Sequence, residues 1–347
     1  MKKRIMLCLL CCILLMANLS ILSSAAVQII TKDEDIIDLA KLFEGKTFTA
    51  SDGTTLNYRL YLPADYSTDK EYPLILFMHG AGERGSDNQD QLRTGICEPF
   101  RDKNSQIYQC IVLAPQCPTD KQWVNVAKWT DCEYSTDTLA ESAELKAALE
   151  LFEQVKQNYS VDPDRVYATG LSMGGYATWD MAVRHPELFA AIMPLCGGAD
   201  NSKASVLVDL PIWTFHGDAD PTVPIRGTRE MVNALEEAGS TLVKYTVYEG
   251  AAHNIWTTTY GNEEIYTWLL AQKRSDRSSI KETEPPTEEI TEPVTSPSPD
   301  TESTTDEDRT SPADDSGTGC KSNVGMLLPL CVIPAGFSLF FKKKQAD

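Results

Sequence analysis

The sequence predicts an α/β fold in which helices cover both faces of a mostly parallel central sheet. Short apolar segments alternate along the chain with segments of helical periodicity, as expected for parallel strands joined by crossover helices. Residues 27–274 have the length of one domain with a substantial core. The connection between Gly197 and Leu210 is too short for a large lid domain. Sheets of this kind place their functional residues at the carboxyl ends of the strands.

The predicted strands are short runs rich in apolar and β-branched residues. TLNYRLYLP forms an early strand, and YPLILFMHG is a buried strand that ends in Gly. In chain order, we predict strands over residues 55–63, 72–80, 110–116, 164–170, 189–197, 210–217 and 243–250.

The predicted helices have apolar residues at helical spacing. The second of them ends at Pro186, which cannot continue a helix. In chain order, we predict helices over residues 138–159, 173–185, 226–239 and 262–274.

The first 26 residues have the pattern of a secretory signal peptide. Lys2, Lys3 and Arg4 precede an apolar run, and small residues at 24–26 offer a cleavage site. The alternative is an N-terminal anchor that is retained. Export permits disulfides in the mature domain.

The composition of residues 275–319, which are rich in Thr, Pro, Glu and Ser, predicts a disordered acidic linker. They contain thirteen acidic and three basic residues, so they account for about half of the formal net charge of −19. So few apolar residues cannot bury enough surface to fold. The acidic balance argues against nucleic acid as a partner.

Residues 320–347 predict a C-terminal membrane anchor. Residues 324–341 are apolar and uncharged, just long enough for one span, and Lys342–Lys344 form a basic tip. With the signal peptide, this predicts a secreted protein held at the cell surface with an extracellular domain. The alternative is a tail that is removed or replaced during processing.

Five cysteines fall within the predicted domain: Cys97, Cys110, Cys117, Cys132 and Cys196. None has the spacing of metal ligands. If a disulfide forms, Cys117 and Cys132 are the favoured pair, because they bracket one loop.

Ser172 is the candidate nucleophile. It is the central residue of a G-x-S-x-G pattern between a predicted strand and a predicted helix, the context in which a sharp turn projects a serine hydroxyl. Glycines avoid clashes in such a turn, and the N-terminus of the following helix favours developing negative charge.

His253 is the candidate base that would activate this hydroxyl. His79 belongs to a loop suited to binding an oxyanion, His185 ends a helix, and His216 closes a strand before an acidic turn. His253 instead follows a late strand and precedes the final helix. Elimination therefore favours His253.

An acid between Ser172 and His253 would orient the imidazole and stabilise its protonated form. The segment FHGDADPTVP offers Asp218 and Asp220. We favour Asp220, which closes the turn, whereas Asp218 more readily caps the turn through its side chain. If the roles are reversed, replacement of Asp218 is the more harmful change.

The loop HGAGERG is a candidate oxyanion hole. Its glycines allow backbone amides to approach a carbonyl oxygen, and the predicted donors are the amides of Ala81 and of Met173. Glu83 and Arg84 are expected to pair or to position the loop rather than to act in catalysis.

Five segments, YPLILFMHGAGERGSDN, APQCP, GLSMGGYATW, FHGDADPTVP and GAAHNIW, carry a family resemblance. Together they resemble the secreted esterase branch of the α/β-hydrolases, over nearly all of residues 46–274. This branch includes feruloyl and acetylxylan esterases of carbohydrate esterase family 1, polyhydroxybutyrate depolymerases, and predicted peptidases of the prolyl-oligopeptidase type. The resemblance implies an α/β-hydrolase fold and assigns catalytic roles to Ser172, Asp220 and His253, with Ala81 and Met173 as oxyanion donors.

Aromatic residues near these motifs are candidates for lining a substrate pocket. Residues 118–136 contain Trp123, Trp129 and Tyr134, and Trp256 closely follows His253. Aromatic side chains can stack on a sugar or a phenolic ring. We expect one or two of the four, foremost Trp129 and Trp256, to line the pocket, and the others to pack the loop.

These observations predict a serine esterase without a cofactor or a metal, acting on acyl groups (feruloyl or acetyl) of plant cell-wall polysaccharide. The main alternative is a serine peptidase of the prolyl-oligopeptidase-like type, although no propeller repeat precedes the domain. A third class, a binding protein on a hydrolase fold, conflicts with an intact set of Ser, Asp and His.

Overall fold

The computed structural model describes residues 39–132 and 134–278. Within these ranges eight strands form one sheet, in the order β1-β2-β4-β3-β5-β6-β7-β8. The strands are β1 (Phe43–Thr49), β2 (Thr55–Tyr61), β3 (Tyr72–Met78), β4 (Ile111–Gln116), β5 (Val161–Leu171), β6 (Ala191–Leu195), β7 (Ile212–Gly217) and β8 (Val243–Tyr248).

Three α-helices lie between consecutive strands along the chain, and two more follow the last strand. They are α1 (Ala143–Asn158), α2 (Met173–Arg184), α3 (Arg226–Glu237), α4 (Trp256–Tyr260) and α5 (Glu263–Leu270). The first begins later than predicted because Ser142 caps it, accepting a hydrogen bond of 3.0 Å from the Leu145 N–H. Short 3₁₀ turns, including Ala81–Glu83 and Asn201–Leu207, occupy the connections.

Strand pairing confirms the predicted mostly parallel sheet. β2 is antiparallel to both of its neighbours, β1 and β4, whereas all the other neighbouring pairs, from β4–β3 to β7–β8, are parallel. β1 was not predicted. It is an edge strand in which Phe43 alone is buried, so it lacks the apolar run that identifies the central strands.

Two apolar cores, one on each face of the sheet, confirm that helices cover both sides. Alternate residues of β3 divide between them: Leu74, Leu76 and Met78 pack in the core that contains the apolar side of α1, and Ile75 and Phe77 pack in the other, with α5. Such alternation follows from the two-residue repeat of a strand.

The favoured disulfide between Cys117 and Cys132 is wrong. All five domain cysteines are free. Cys117 is buried in the core beside β4, whereas the Cys132 thiol points to the carbonyl oxygen of Pro224, 3.3 Å away. The loop that they bracket is held by packing and hydrogen bonds instead.

The predicted signal peptide, most of the linker and the anchor lie outside the described residues, so these boundaries stay predictions. The described residues all belong to the compact unit Met1–Thr287. Among them, no helix has both the length and the apolar character needed to cross a membrane.

Candidate active site

Ser172 lies in a strained turn between β5 and α2. Its backbone has φ 55° and ψ −118°, a conformation that few residues other than glycine adopt. The Ser172 N–H donates to the Leu195 carbonyl of β6 over 2.9 Å, which ties the turn to the sheet. The connection from β5 to α2 is therefore a sharp turn, or elbow, with the Ser172 hydroxyl at its tip.

Glycines around the elbow allow backbones to touch. A Cβ atom on Gly170 would lie 2.5 Å from the Gly174 carbonyl oxygen, and one on Gly174 would collide with the carbonyl group of Met78 in β3. These contacts bring α2 directly onto the sheet, which fixes the direction of Ser172.

We expect Gly174→Ala to lower the free energy of unfolding by at least about 3 kcal/mol, because the added methyl group meets main-chain atoms that cannot move aside. Urea denaturation measures this loss. Gly82→Ala is the matched control, since a Cβ there has no heavy atom within 4 Å. Equal stability of the two variants would contradict the expectation.

Ser172, His253 and Asp220 form one hydrogen-bonded chain. His253 Nε2 lies 2.8 Å from Ser172 Oγ, and His253 Nδ1 lies 2.6 Å from Asp220 Oδ2. The three residues follow β5, β8 and β7, so they meet at the carboxyl edge of the sheet, as predicted. The imidazole is placed to take the serine proton while the carboxylate holds its other nitrogen.

Asp220 is held as an anion. Its Oδ1 accepts the N–H groups of Thr222 (2.8 Å) and Val223 (3.0 Å). Burial raises the pKa of this carboxyl, but hydrogen bonds from His216, His253 and Val223 outweigh it, so the pKa lies well below its usual value.

Asp218 occupies a different environment. It is exposed, and its Oδ1 accepts the Gly250 N–H over 2.6 Å, which joins the turn after β7 to the turn after β8. The structure thus brings Asp220, not Asp218, to His253.

The two predicted oxyanion donors are the first residues of two helical turns. Met173 begins α2 and Ala81 begins the 3₁₀ turn Ala81–Glu83; in neither does the preceding residue's side chain cap the helix. Amides at such positions have no acceptor within the helix and can bind an anion.

Polar side chains hold the loop HGAGERG, which is the predicted oxyanion loop. His79 is fully buried; its Nε2 accepts the Cys117 N–H (2.9 Å), so its Nδ1 carries the proton that is donated to the Gly80 carbonyl (2.6 Å). Arg84 Nε donates to the Ala81 carbonyl over 2.9 Å. Burial raises the pKa of Glu83, which lies in the same turn.

Burial lowers the pKa of His79 to about 4. The unfolded chain takes up this proton near pH 6.5, so it binds more protons than the folded state between about pH 6.5 and 4. We therefore expect His79 to reduce the free energy of unfolding by about 3 kcal/mol as pH falls through that window.

Denaturation of wild type and His79→Gln across this pH range isolates the effect. Glutamine retains an acceptor for the Cys117 N–H but cannot titrate. Parallel pH dependences for the two proteins would contradict the expectation.

The predicted pocket aromatics occupy different positions. The Trp256 ring meets the His253 ring edge-on, with centroids 5.3 Å apart. Trp129 instead packs against the core, with its Nε1 bonded to Gln122 (3.0 Å) and its carbonyl to Tyr176 (2.7 Å). Trp123 is fully buried.

Two residues near the triad were not predicted to lie there. His216 Nε2 is 3.2 Å from Asp220 Oδ2, and the Cys196 thiol donates to the His253 carbonyl over 3.4 Å. His216 lies near the end of β7 and Cys196 directly follows β6. These positions at the carboxyl ends of strands were the available sequence signal.

One group among the described residues resembles a metal site. Ligand atoms of Cys196, Asp220 and His253 lie within 4.8 Å of one another. However, hydrogen bonds already hold these side chains: His253 Nδ1 lies 2.6 Å from Asp220 Oδ2, and the Cys196 thiol donates to the His253 carbonyl over 3.4 Å. The group is better explained by the hydrogen bonds that join it.

The sheet order, the elbow and the order of Ser, Asp and His along the chain define the fold as that of the α/β-hydrolases. The chain belongs to the phospholipase/carboxylesterase family, which matches residues 65–268.

Several known proteins are similar to this chain. The crystal structure of a thermostable esterase is 37% identical, with a TM-score of 0.60, covering 67% of this chain and 64% of that one. An endo-1,4-beta-xylanase/feruloyl esterase of Xylanibacter ruminicola is 26% identical over 74% of this chain and 34% of that protein. Poly(3-hydroxyalkanoate) depolymerase C of Paucimonas lemoignei is 26% identical over 36% of this chain and 28% of its own length. In all three comparisons the chain spans less than two thirds of the other protein.

Proposed function

We propose that the protein is a serine esterase that hydrolyses carboxylic esters through an acyl-enzyme. The observation that carries this proposal is the continuous hydrogen-bonded chain from Ser172 through His253 to Asp220. Membership of the phospholipase/carboxylesterase family supports the same chemistry.

In the first half of the reaction, Ser172 Oγ bonds to the ester carbonyl carbon while its proton passes to His253 Nε2. The carbonyl oxygen gains the negative charge, which the amides of Met173 and Ala81 stabilise. His253 then donates the proton to the alcohol oxygen as the C–O bond breaks, leaving the acyl group on Ser172.

In the second half, water attacks the acyl carbon and gives its proton to His253. The tetrahedral intermediate collapses, the carboxylic acid departs, and the proton returns to Ser172 Oγ. Asp220 remains an anion throughout, since its pKa is held well below its usual value by hydrogen bonds.

The favoured substrates are feruloyl or acetyl esters of plant cell-wall polysaccharide. Two features support this choice: Trp256 presents an aromatic ring beside His253, and one similar protein is a xylanase/feruloyl esterase. An aromatic ring at this place can stack on a phenolic acyl group.

Parallel assays on methyl ferulate, acetylated xylan and a peptide anilide test the substrate class. We expect the esters to be cleaved faster than the anilide, because an amine leaves less readily than an alcohol and needs protonation. Faster cleavage of the anilide would favour the alternative, a serine peptidase of the prolyl-oligopeptidase-like type.

The proposal includes export and attachment to the cell surface, which suits a polymeric substrate. It is supported by the signal-like residues 1–26 and the apolar residues 324–341 of the sequence. We expect activity in the membrane fraction for the full chain and in the medium for a chain ending at residue 278. Activity of the full chain in the cytosol would contradict it.

A further inference from the structure

The carboxylate of Asp220 is shared by two imidazoles. His253 Nδ1 and His216 Nε2 lie 2.6 Å and 3.2 Å from the same oxygen, Oδ2. The other oxygen, Oδ1, is occupied by the N–H groups of Thr222 and Val223. His253 therefore binds a carboxylate whose charge is already distributed over three further donors.

His216 cannot touch a substrate. Its side chain and that of Asp220 have no exposed surface, and it lies at the end of β7, one residue before Gly217. Any effect that it has on the reaction must pass through Asp220.

The neighbours of His216 define which nitrogen carries a proton. Nε2 lies 2.9 Å from the Val223 carbonyl and 3.2 Å from the Asp220 carboxylate, and both groups accept hydrogen bonds. Nε2 must therefore be a donor, shared between these two oxygens. On the other side of the ring, Nδ1 lies 2.7 Å from Thr228 Oγ1, which in turn contacts the Gly197 carbonyl at 3.0 Å.

The remaining titratable groups at this carboxylate add no charge. Cys196 directly follows β6 and Tyr176 lies in α2. Burial raises the pKa of both groups well above their usual values, with smaller contributions from the charge of Asp220 at Cys196 and from Cys132 at Tyr176. The nitrogen donors at Asp220 among the described residues are therefore the two imidazoles and two amides, and the neutral Cys196 thiol lies beside them.

We propose that His216 is a positioning residue for the proposed esterase reaction. By donating its Nε2 proton to Asp220 Oδ2, it fixes the orientation of the carboxylate and makes it less basic. A less basic carboxylate holds the His253 imidazolium less tightly, so His253 stays available as a base at lower pH. The expected effect on the pH profile rests on the proposed esterase function, whereas the hydrogen bond from His216 to Asp220 does not.

Two matched variants test the role. The amide nitrogen of His216→Gln overlays Nε2 and can still donate to Asp220, whereas that of His216→Asn overlays Nδ1 and can reach only Thr228. We expect His216→Asn to move the acid limb of the kcat/KM–pH profile upward by about 0.5 to 1 pH unit and to reduce kcat/KM about tenfold. His216→Gln should keep the limb close to that of wild type.

An unchanged acid limb in His216→Asn would overturn the proposal. The same shift in both variants would also overturn it, because a residue that only supports the fold would have the same effect on the pH profile whichever position its amide nitrogen occupies. If the variants do not fold, NMR spectra of the wild-type protein with ¹⁵N-labelled histidine test the proposal by showing which nitrogen of His216 carries a proton. We expect His216 Nε2 to carry a proton, because both oxygens beside it accept hydrogen bonds. An unprotonated Nε2 would overturn the proposal, and this readout is independent of whether the protein hydrolyses esters.

Discussion

Ser172→Ala is expected to reduce turnover of p-nitrophenyl acetate by a factor of about 10³ to 10⁶. The variant lacks the oxygen that forms the acyl-enzyme, while His253 and Asp220 remain bonded to each other. Hydrolysis at a rate close to that of wild type would exclude Ser172 as the nucleophile. Active-site titration with a fluorophosphonate probe gives a second measurement, in which the variant should remain unlabelled.

Ser172→Gly separates the chemistry from the strain of the turn. Both variants lose the hydroxyl and should be equally inactive. Glycine, however, tolerates φ 55° and ψ −118°, so we expect Ser172→Gly to unfold at a higher temperature than Ser172→Ala. A lower melting temperature for Ser172→Gly would contradict the conclusion that the elbow is strained.

The second large effect is expected at Asp220. In Asp220→Asn, the amide oxygen can still accept the Thr222 and Val223 N–H groups, so the fold should persist. The amide nitrogen instead faces His253 Nδ1, where it stabilises the wrong tautomer and removes the charge that supports the imidazolium. It also faces His216 Nε2, which keeps the Val223 carbonyl as its acceptor. We expect kcat/KM to fall about 10⁴-fold.

Asp218→Asn is the matched control, two residues away in the same turn. Its amide oxygen can still accept the Gly250 N–H, so we expect activity within about threefold of wild type. Greater loss of activity in Asp218→Asn than in Asp220→Asn would assign the catalytic acid to Asp218. Circular dichroism and melting temperature establish that both variants are folded.

The sequence was sufficient to predict the central strands and the position of Ser172, because both depend on local pattern. Continuous apolar runs mark strands buried on both faces, and the glycines around Ser172 mark a turn in which backbones meet. The edge strand β1, FEGKTFT, lacks this pattern because most of its side chains face solvent. Its place is determined by pairing with β2.

Contacts between side chains from different strands were harder to predict. The position of His216 in the chain argued against its being the base. Its contact with Asp220 could not be predicted in this way, because that contact depends on how the turn after β7 folds back. Likewise, the spacing of Cys117 and Cys132 carries no information on the direction of their side chains. Trp129 and Trp256 are equally aromatic in sequence, and only the fold shows that Trp256 meets His253.

The parallel pairing of β5 to β8 has an evolutionary consequence. Ser172, Asp220 and His253 all follow strands of this set, whose main-chain hydrogen bonds fix their relative positions. The long connection between β4 and α1 lies outside this set. A change in the length of this connection would therefore leave the relative positions of Ser172, Asp220 and His253 in place, so the sheet tolerates variation there without loss of the proposed catalytic geometry.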